Sequence, residues 1–323
     1  MTKNDLKIVF LGTPDFAVES LEALIGRGYN IAAVVTMPDK PAGRGHKLLQ
    51  SPVKQCAVSH NIPVLQPVNL KDPAFVEALR VYDADLFIVI AFRMLPEVVW
   101  RMPRLGTFNL HASLLPRYRG AAPINHAVMN GDSVTGVTTF MLKHEIDTGD
   151  ILQQRSIDIG PDENVGSVHD RLMHLGAELT LLTVEDIING TLKPIPQDQL
   201  ITAGEEACPA PKIFKETCLI DWRRPAAEIH NFVRGLSPYP AAWCRLKSDN
   251  ADVIECKIME TRPVEKSGTA TPGAVVVDGD RMLVGCGDGY IEIISLRPAG
   301  KRQMDTASYL RGARLHNPVM KTD

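Results

Sequence analysis

The chain reads as an α/β domain on a mostly parallel sheet, followed by a small β-barrel. Three observations predict this. Through residue 189, short apolar runs alternate with stretches of helical period, the sign of βαβ units. From 209 onward, strand-like runs follow one another with turn residues between them, which suggests a barrel. Between them, 190–208 (GTLKPIPQDQLITAGEEAC) carries proline, glycine and polar residues without period and reads as a linker.

In chain order, Leu6–Leu11 is a buried strand ended by Gly12, and Pro14-Asp15 opens a helix with Phe16, Leu21, Leu24 and Ile25 on its apolar side. Ile31–Val35, Pro63–Leu65 and Asp85–Ala91 are the next strands, with helices over Ser51–His60 and Asp72–Tyr82. Thr107–His111 is a further strand; Ser113-Leu114-Leu115-Pro116 turns the chain toward a helix near Pro123. Ile151–Ile157 is a strand. Asn164–Asn189 is one long helix, with Val165, Val168, Leu172, Leu175, Leu179 and Leu182 as its core stripe. His169 and His174 lie off that stripe and read as surface residues. The barrel strands are expected at Leu219–Trp222, Ala242–Leu246, Val253–Met259, Ala274–Val277, Met282–Cys286 and Tyr290–Leu296. Helices are expected over Pro225–Leu236, with Pro225 at the first helical position, and over Asp305–Arg311.

Composition narrows the class. No run approaches the roughly 18–20 apolar residues of a membrane helix, and MTKNDLKIVFLG lacks a signal-peptide pattern. Six cysteines without a Cys-x-x-Cys pair suggest neither a zinc knuckle nor a disulfide framework, so a reducing cytoplasm is expected. The net charge of −3 divides unevenly: residues 1–206 carry 18 Lys and Arg against 24 Asp and Glu, residues 207–323 carry 17 against 14. The basic second part fits an acidic partner, although random surface variation would give a similar asymmetry. The first βα turn, Gly12-Thr13-Pro14-Asp15-Phe16-Ala17, lacks the later glycines of G-x-G-x-x-G, which excludes a dinucleotide site there. Met37–Gln50 has two prolines, two glycines and three cations, and reads as a long exposed loop without secondary structure, poised for binding.

The chemistry centres on 106–150. Asn109 and His111 alternate on one strand and so project to the same face, at the strand end where ligands of parallel sheets lie. With Asp147 downstream they offer an amide, an imidazole and a carboxylate. These can bind an oxyanion and move an amine proton in acyl transfer. A strand-end Asn or His is also common as a purely structural residue, and both readings stand on these residues alone.

Asn109-Leu110-His111, Ser113-Leu114-Leu115-Pro116-Arg117-Tyr118-Arg119-Gly120 and Asp147-Thr148-Gly149-Asp150 together resemble the folate-dependent formyltransferases. The resemblance implies a Rossmann-like formyltransferase fold over 1–189, and an OB-like β-barrel over 209–323. It implies Asn109, His111 and Asp147 as catalytic residues, Ser113, Leu114, Leu115 and Pro116 along the folate site, and 10-formyltetrahydrofolate as donor, with no metal. Phe10–Ala17, the Pro38–Gly45 loop with Ser51–Lys54, and Lys212-Ile213-x-Lys215, Ile220-Asp221-Trp222 and Arg234–Trp243 are similar to the branch that formylates initiator methionyl-tRNA. That branch implies tRNA contacts at Lys40, Arg44 and Lys47 on the loop and Lys212 and Lys215 on the barrel, with a monomer in the cytoplasm expected. A sugar-nucleotide amine as acceptor, hydrolysis of the donor, or a non-enzymatic tRNA-binding module are the alternatives. In one departure from the family pattern, Lys143-His144-Glu145-Ile146 precedes Asp147 where small, glycine-containing segments are usual, so His144 and Glu145 are expected to alter the pterin pocket or Asp147.

Overall fold

The computed structural model describes residues 2–3, 5–42, 47–201, 208–249, 251–264, 270–313 and 315–321. It divides into two compact units. Met1–Pro123, Thr135–Ile157 and His169–Pro209 form the first, and Ile124–Val134, Asp158–Val168 and Ala210–Asp323 the second.

In chain order the elements begin β1 (Lys7–Gly12), α1 (Asp15–Gly26), β2 (Asn30–Val35), β3 (Lys40–Ala42), β4 (Lys47–Leu49), α2 (Pro52–Ser59), β5 (Val64–Leu65) and α3 (Pro73–Arg80). There follow β6 (Leu86–Ile90), α4 (Glu97–Trp100), β7 (Thr107–His111), α5 (Pro123–Met129), β8 (Val134–Met141), β9 (Ile151–Asp158) and α6 (Val165–Asn189). The main sheet runs β5-β2-β1-β6-β7-β8-β9. Its β5, β2, β1, β6 and β7 are parallel, and β8 runs antiparallel to β7. Strands buried on both faces need helical crossovers, and the apolar runs of β1 and β6 supply such strands. On one face Val9, Leu11, Val35, Phe87 and Val89, at alternate positions, pack with Leu79 of α3. The chain leaves β1 toward β2 and β5, then returns to the other side of β1 with β6. In parallel sheets, ligands lie outside the carboxyl ends of the strands at such a reversal.

Gly12 serves packing in this unit. A Cβ there would lie 2.8 Å from the Ala17 Cβ and 3.1 Å from the Ile90 carbonyl oxygen. The α6 stripe departs from expectation at its end: Leu182 is 38% exposed, while Thr183 and Val184 are buried. A strict 3.5-residue spacing drifts about 20° per heptad on a straight helix, which rotates Leu182 outward. Thr183 turns inward and bonds the Thr139 hydroxyl at 2.9 Å.

The exposed loop expected over 37–50 instead contains a two-stranded antiparallel ribbon, β3 with β4, registering Lys40 with Leu49 and Pro41 with Leu48. Ribbons tolerate proline at an edge, which is why Pro41 did not forbid it. Lys54, at the start of α2, binds Asp39 at 2.6 Å and Gln66 at 2.8 Å, and Gln66 donates to Asp39 at 2.7 Å. Lys54 and Gln66 together hold the Asp39 carboxyl below the usual carboxylate range. Ser51 caps α2 and bonds Thr36 at 2.8 Å, so the ribbon springs from a clamped base.

The second unit adds α7 (Ala226–Leu236), β10 (Ala242–Ser248), β11 (Ala251–Val264), β12 (Val275–Asp278), β13 (Arg281–Cys286), β14 (Gly289–Pro298), β15 (Met304–Asp305), α8 (Thr306–Gly312) and β16 (Val319–Lys321). The sheet order is β12-β13-β14-β11-β10-β16, with β15 on β14. The sheet curls until its ends meet at an Ala274–Val319 bridge, where Met320 N–H donates to the Gly273 carbonyl at 2.8 Å. Gly273 has φ +81°, and a Cβ there would lie 2.2 Å from the Met320 oxygen, so this closure requires glycine. Closing the curl covers edges that would otherwise pair with other chains. Register shifts near Glu260 bend the long β11. Two expectations change. Leu219–Trp222 is not a strand; Leu219 makes one bridge to Trp243, and Trp222 is buried in the barrel core. Pro225 occupies the N-cap position, one residue before the helix.

Candidate active site

β7 carries Asn109 and His111 to the carboxyl end of the sheet, with Asn109 level with Val89 of β6 and Phe140 of β8. The Asn109 Oδ1 atom is buried with no hydrogen-bond partner among the described residues. His111 is 7% exposed, and its Nε2 lies 2.8 Å from the Tyr118 carbonyl oxygen. A carbonyl only accepts, so Nε2 carries the hydrogen and Nδ1 is the nitrogen that changes protonation. Burial lowers the His111 pKa, and the charge of Asp147 and the Tyr118 carbonyl only partly offset it. His111 therefore rests neutral near pH 7, and the Asp147 charge stabilises the imidazolium whenever it forms.

Asp147 sits at φ +54° in the turn between β8 and β9, a conformation that aspartate tolerates better than most side chains. One of its carboxylate oxygens accepts the Gly120 N–H at 3.0 Å. Gln197 fixes the turn: its Nε2 donates to the carbonyls of Asp147 at 2.9 Å and Gly149 at 2.8 Å. Its Oε1 accepts from Arg119 Nε at 3.0 Å and from a second Arg119 nitrogen at 2.7 Å. Gln197 is 3% exposed. It lies within 190–208, which reads as a linker but folds back, with Ile195 bridging Ile151. No motif marks Gln197, because two of its four bonds go to backbone carbonyls that any sequence would present and the other two to an arginine far along the chain. A Cβ on Gly149 would lie 1.5 Å from the Met141 oxygen, so the turn also needs glycine. His144 and Glu145 are exposed. Lys143 pairs with Asp150 at 2.7 Å.

The Ser113–Pro116 turn is pinned from beneath. The Ser113 hydroxyl donates to the Arg117 carbonyl at 2.7 Å, and the Ser113 carbonyl accepts from the Thr138 hydroxyl at 2.6 Å. Leu115 N–H donates to the Thr138 oxygen at 3.1 Å, and Gln154 Nε2 donates to the Leu115 carbonyl at 2.8 Å. Leu115 and Ser113 are buried, while Leu114 and Pro116 are half-buried.

Arg44 lies outside the described residues, Lys47 begins β4, and Lys40 is exposed on β3. In the second unit Lys212 is exposed, its ammonium 5.5 Å from the Phe214 ring centre. Lys215 pairs with Glu255 at 2.8 Å and lies 5.2 Å from the Trp243 ring. Arg234 is buried and donates to the carbonyls of Glu163 at 2.9 Å and Gly160 at 3.3 Å.

An amide with a buried oxygen and a buried imidazole at the end of a parallel strand, with the charge of a turn-held carboxylate acting on the imidazole, suit transfer of an acyl group to an amine. The chain belongs to the formyl transferase family: residues 6–184 match formyl transferase, and residues 212–314 match its C-terminal domain. It is 57% identical over 316 residues to a methionyl-tRNA formyltransferase of Bacteroides fragilis, covering 98% of this chain and 97% of that one. A relative of the same name from Bacteroides thetaiotaomicron is also 57% identical, covering 98% of each chain. Among solved structures, HypX from Aquifex aeolicus in complex with tetrahydrofolic acid shares the fold, with a TM-score of 0.61 and 21% identity. That match covers 94% of this chain but 46% of HypX, so the present chain spans about half the length of that protein. No described helix is long and apolar enough to cross a membrane.

Proposed function

We propose that this chain transfers the formyl group of 10-formyltetrahydrofolate to the α-amino group of initiator methionyl-tRNA, with Asn109, His111 and Asp147 carrying the chemistry. It is a one-carbon transferase, and full-length relatives at 57% identity support the tRNA acceptor over a sugar amine or water. The observation that carries the assignment of residues is the unpartnered Asn109 Oδ1, two positions from a neutral, buried His111. A buried polar atom left without a partner costs about 1–3 kcal/mol, and a substrate N–H that paired with it would recover that cost.

In this reading the amine nitrogen attacks the formyl carbon while the bond from that carbon to the donor nitrogen breaks. Asn109 binds the reacting groups through its amide. His111 takes the amine proton on Nδ1, since Tyr118 holds Nε2–H, and the imidazolium then faces the developing oxyanion. Asp147 stabilises that charge, and the leaving nitrogen takes up a proton to complete the balance. The reaction needs no metal. Ser113, Leu114, Leu115 and Pro116 line the folate side. Residues 1–189 form the catalytic domain, joined through 190–208 to a barrel over 209–323 that grips tRNA. Lys40, Arg44 and Lys47 of the 37–50 stretch and Lys212 and Lys215 of the barrel meet phosphates, so this grip weakens with salt. A cytoplasmic monomer fits this work.

The test is formyl transfer to charged initiator tRNA, with Asn109→Ala and His111→Ala beside the parent. Transfer that collapses in both variants while tRNA affinity holds supports the assignment. Donor turnover without formylated tRNA, or unchanged turnover in His111→Ala, would overturn it.

A further inference from the structure

Helices α1 and α2 of the first unit bring three metal-ligating side chains together. Cys56 lies in the last turn of α2 and His60 at its C-cap, four residues apart and so on one face. Glu22 reaches them from α1. The Cys56 thiol donates to Glu22 Oε1 at 3.2 Å, and His60 Nε2 lies 3.0 Å from Glu22 Oε2. One ligand atom from each residue lies within 4.8 Å of the other two. Cys56 is buried, whereas Glu22 and His60 reach solvent and leave an open approach.

We propose that Glu22, Cys56 and His60 form a zinc site tying α1 to α2, separate from the catalytic residues. Tetrahedral zinc, with bonds of about 2.3 Å to sulfur and about 2.0–2.1 Å to nitrogen, sets those two atoms about 3.6 Å apart. The ligand atoms already lie within 4.8 Å of one another, so a metal has to draw them only slightly closer. A thiolate, an imidazole and a carboxylate favour zinc over magnesium or calcium, which take oxygen ligands. Water would complete the fourth position. Zinc would displace the thiol proton to solvent as the Zn–S bond forms, and its charge would balance the thiolate and the Glu22 carboxylate. Among the described residues no other three His, Cys, Asp or Glu side chains converge in this way. Four further cysteines are buried in the second unit and Cys208 is half-buried, so loss of Cys56 reports on this cluster.

The experiment titrates tag-free, full-length protein with zinc against a chromophoric chelator, then with cobalt(II) as a spectroscopic probe. The expected result is one equivalent bound, one proton released, and a thiolate-to-cobalt charge-transfer band. Cys56→Ser should abolish the band, and Cys56→Ser and His60→Ala should each weaken zinc by at least about tenfold. Zinc should raise the thermal midpoint of the parent alone, and equal midpoints in chelator show that the variants fold. Failure of the parent to bind one equivalent, or equal affinity and an unchanged band in Cys56→Ser, would overturn the site.

Discussion

The end of β7 and the basic residues of the barrel use polar side chains in opposite ways. At β7, His111 is desolvated, Asn109 has an unpartnered buried atom, and the Asp147 turn is held by a buried glutamine. On the barrel, Lys212 and Lys215 lie in water, and Lys215 is already paired with Glu255. Exposed pairs are worth roughly 0–1 kcal/mol, whereas a fixed dipole in a dry site acts on developing charge with little screening. Under the proposed function, the first region would control rate and the second would tune encounter and affinity.

Mutations should separate the two. Asn109→Ala is expected to have the largest effect, about 10²–10³ in kcat, or roughly 3–4 kcal/mol of barrel-independent barrier, measured by single-turnover formyl transfer. Gln197→Ala comes next. Losing four hydrogen bonds around the Asp147 turn should lower kcat by about 10–100-fold with little change in tRNA affinity. A change confined to KM would show that Gln197 does not position the site. The pH profile sharpens the same side. Because burial lowers the His111 pKa, the neutral form persists into acid, and the acid limb of kcat should fall below about 6.5. Asp147→Asn removes the charge that raises this pKa and should move the limb to still lower pH; an upward shift would contradict the electrostatic role.

On the barrel, Lys212→Ala should raise KM for tRNA only a few-fold at low salt and flatten the log–log salt dependence by about one unit. Lys215→Ala should do less, because its charge is already shared with Glu255. Equal or larger losses of kcat from these two lysines would erase the distinction between the regions.

Local pattern carried much of this architecture. Period-two alternation puts Asn109 and His111 on one face, and β7 forms at Thr107–His111 as that pattern predicts. Helical period places α3 and α6 to within a residue or two at each end, and α1 opens at Asp15 as expected. Pattern failed where the partner lay far along the chain. The β3–β4 ribbon depends on a clamp of Asp39, Lys54 and Gln66 spanning 27 residues. Trp222 reads as a strand residue yet anchors the barrel core. Leu182 follows the heptad and still faces solvent, because the neighbours of Thr183 decide which side of the helix is inward.

By itself, then, the sequence determined the two-part architecture, the strand that carries the amide and imidazole, and the motif that marks the family, since each rests on neighbours a few residues apart. Only the tertiary structure decided that His111 rests neutral, that an apparent linker supplies Gln197, and that the barrel closes at Gly273. Burial, long-range hydrogen bonds and backbone approach are properties of segments distant in sequence, and no local period records them.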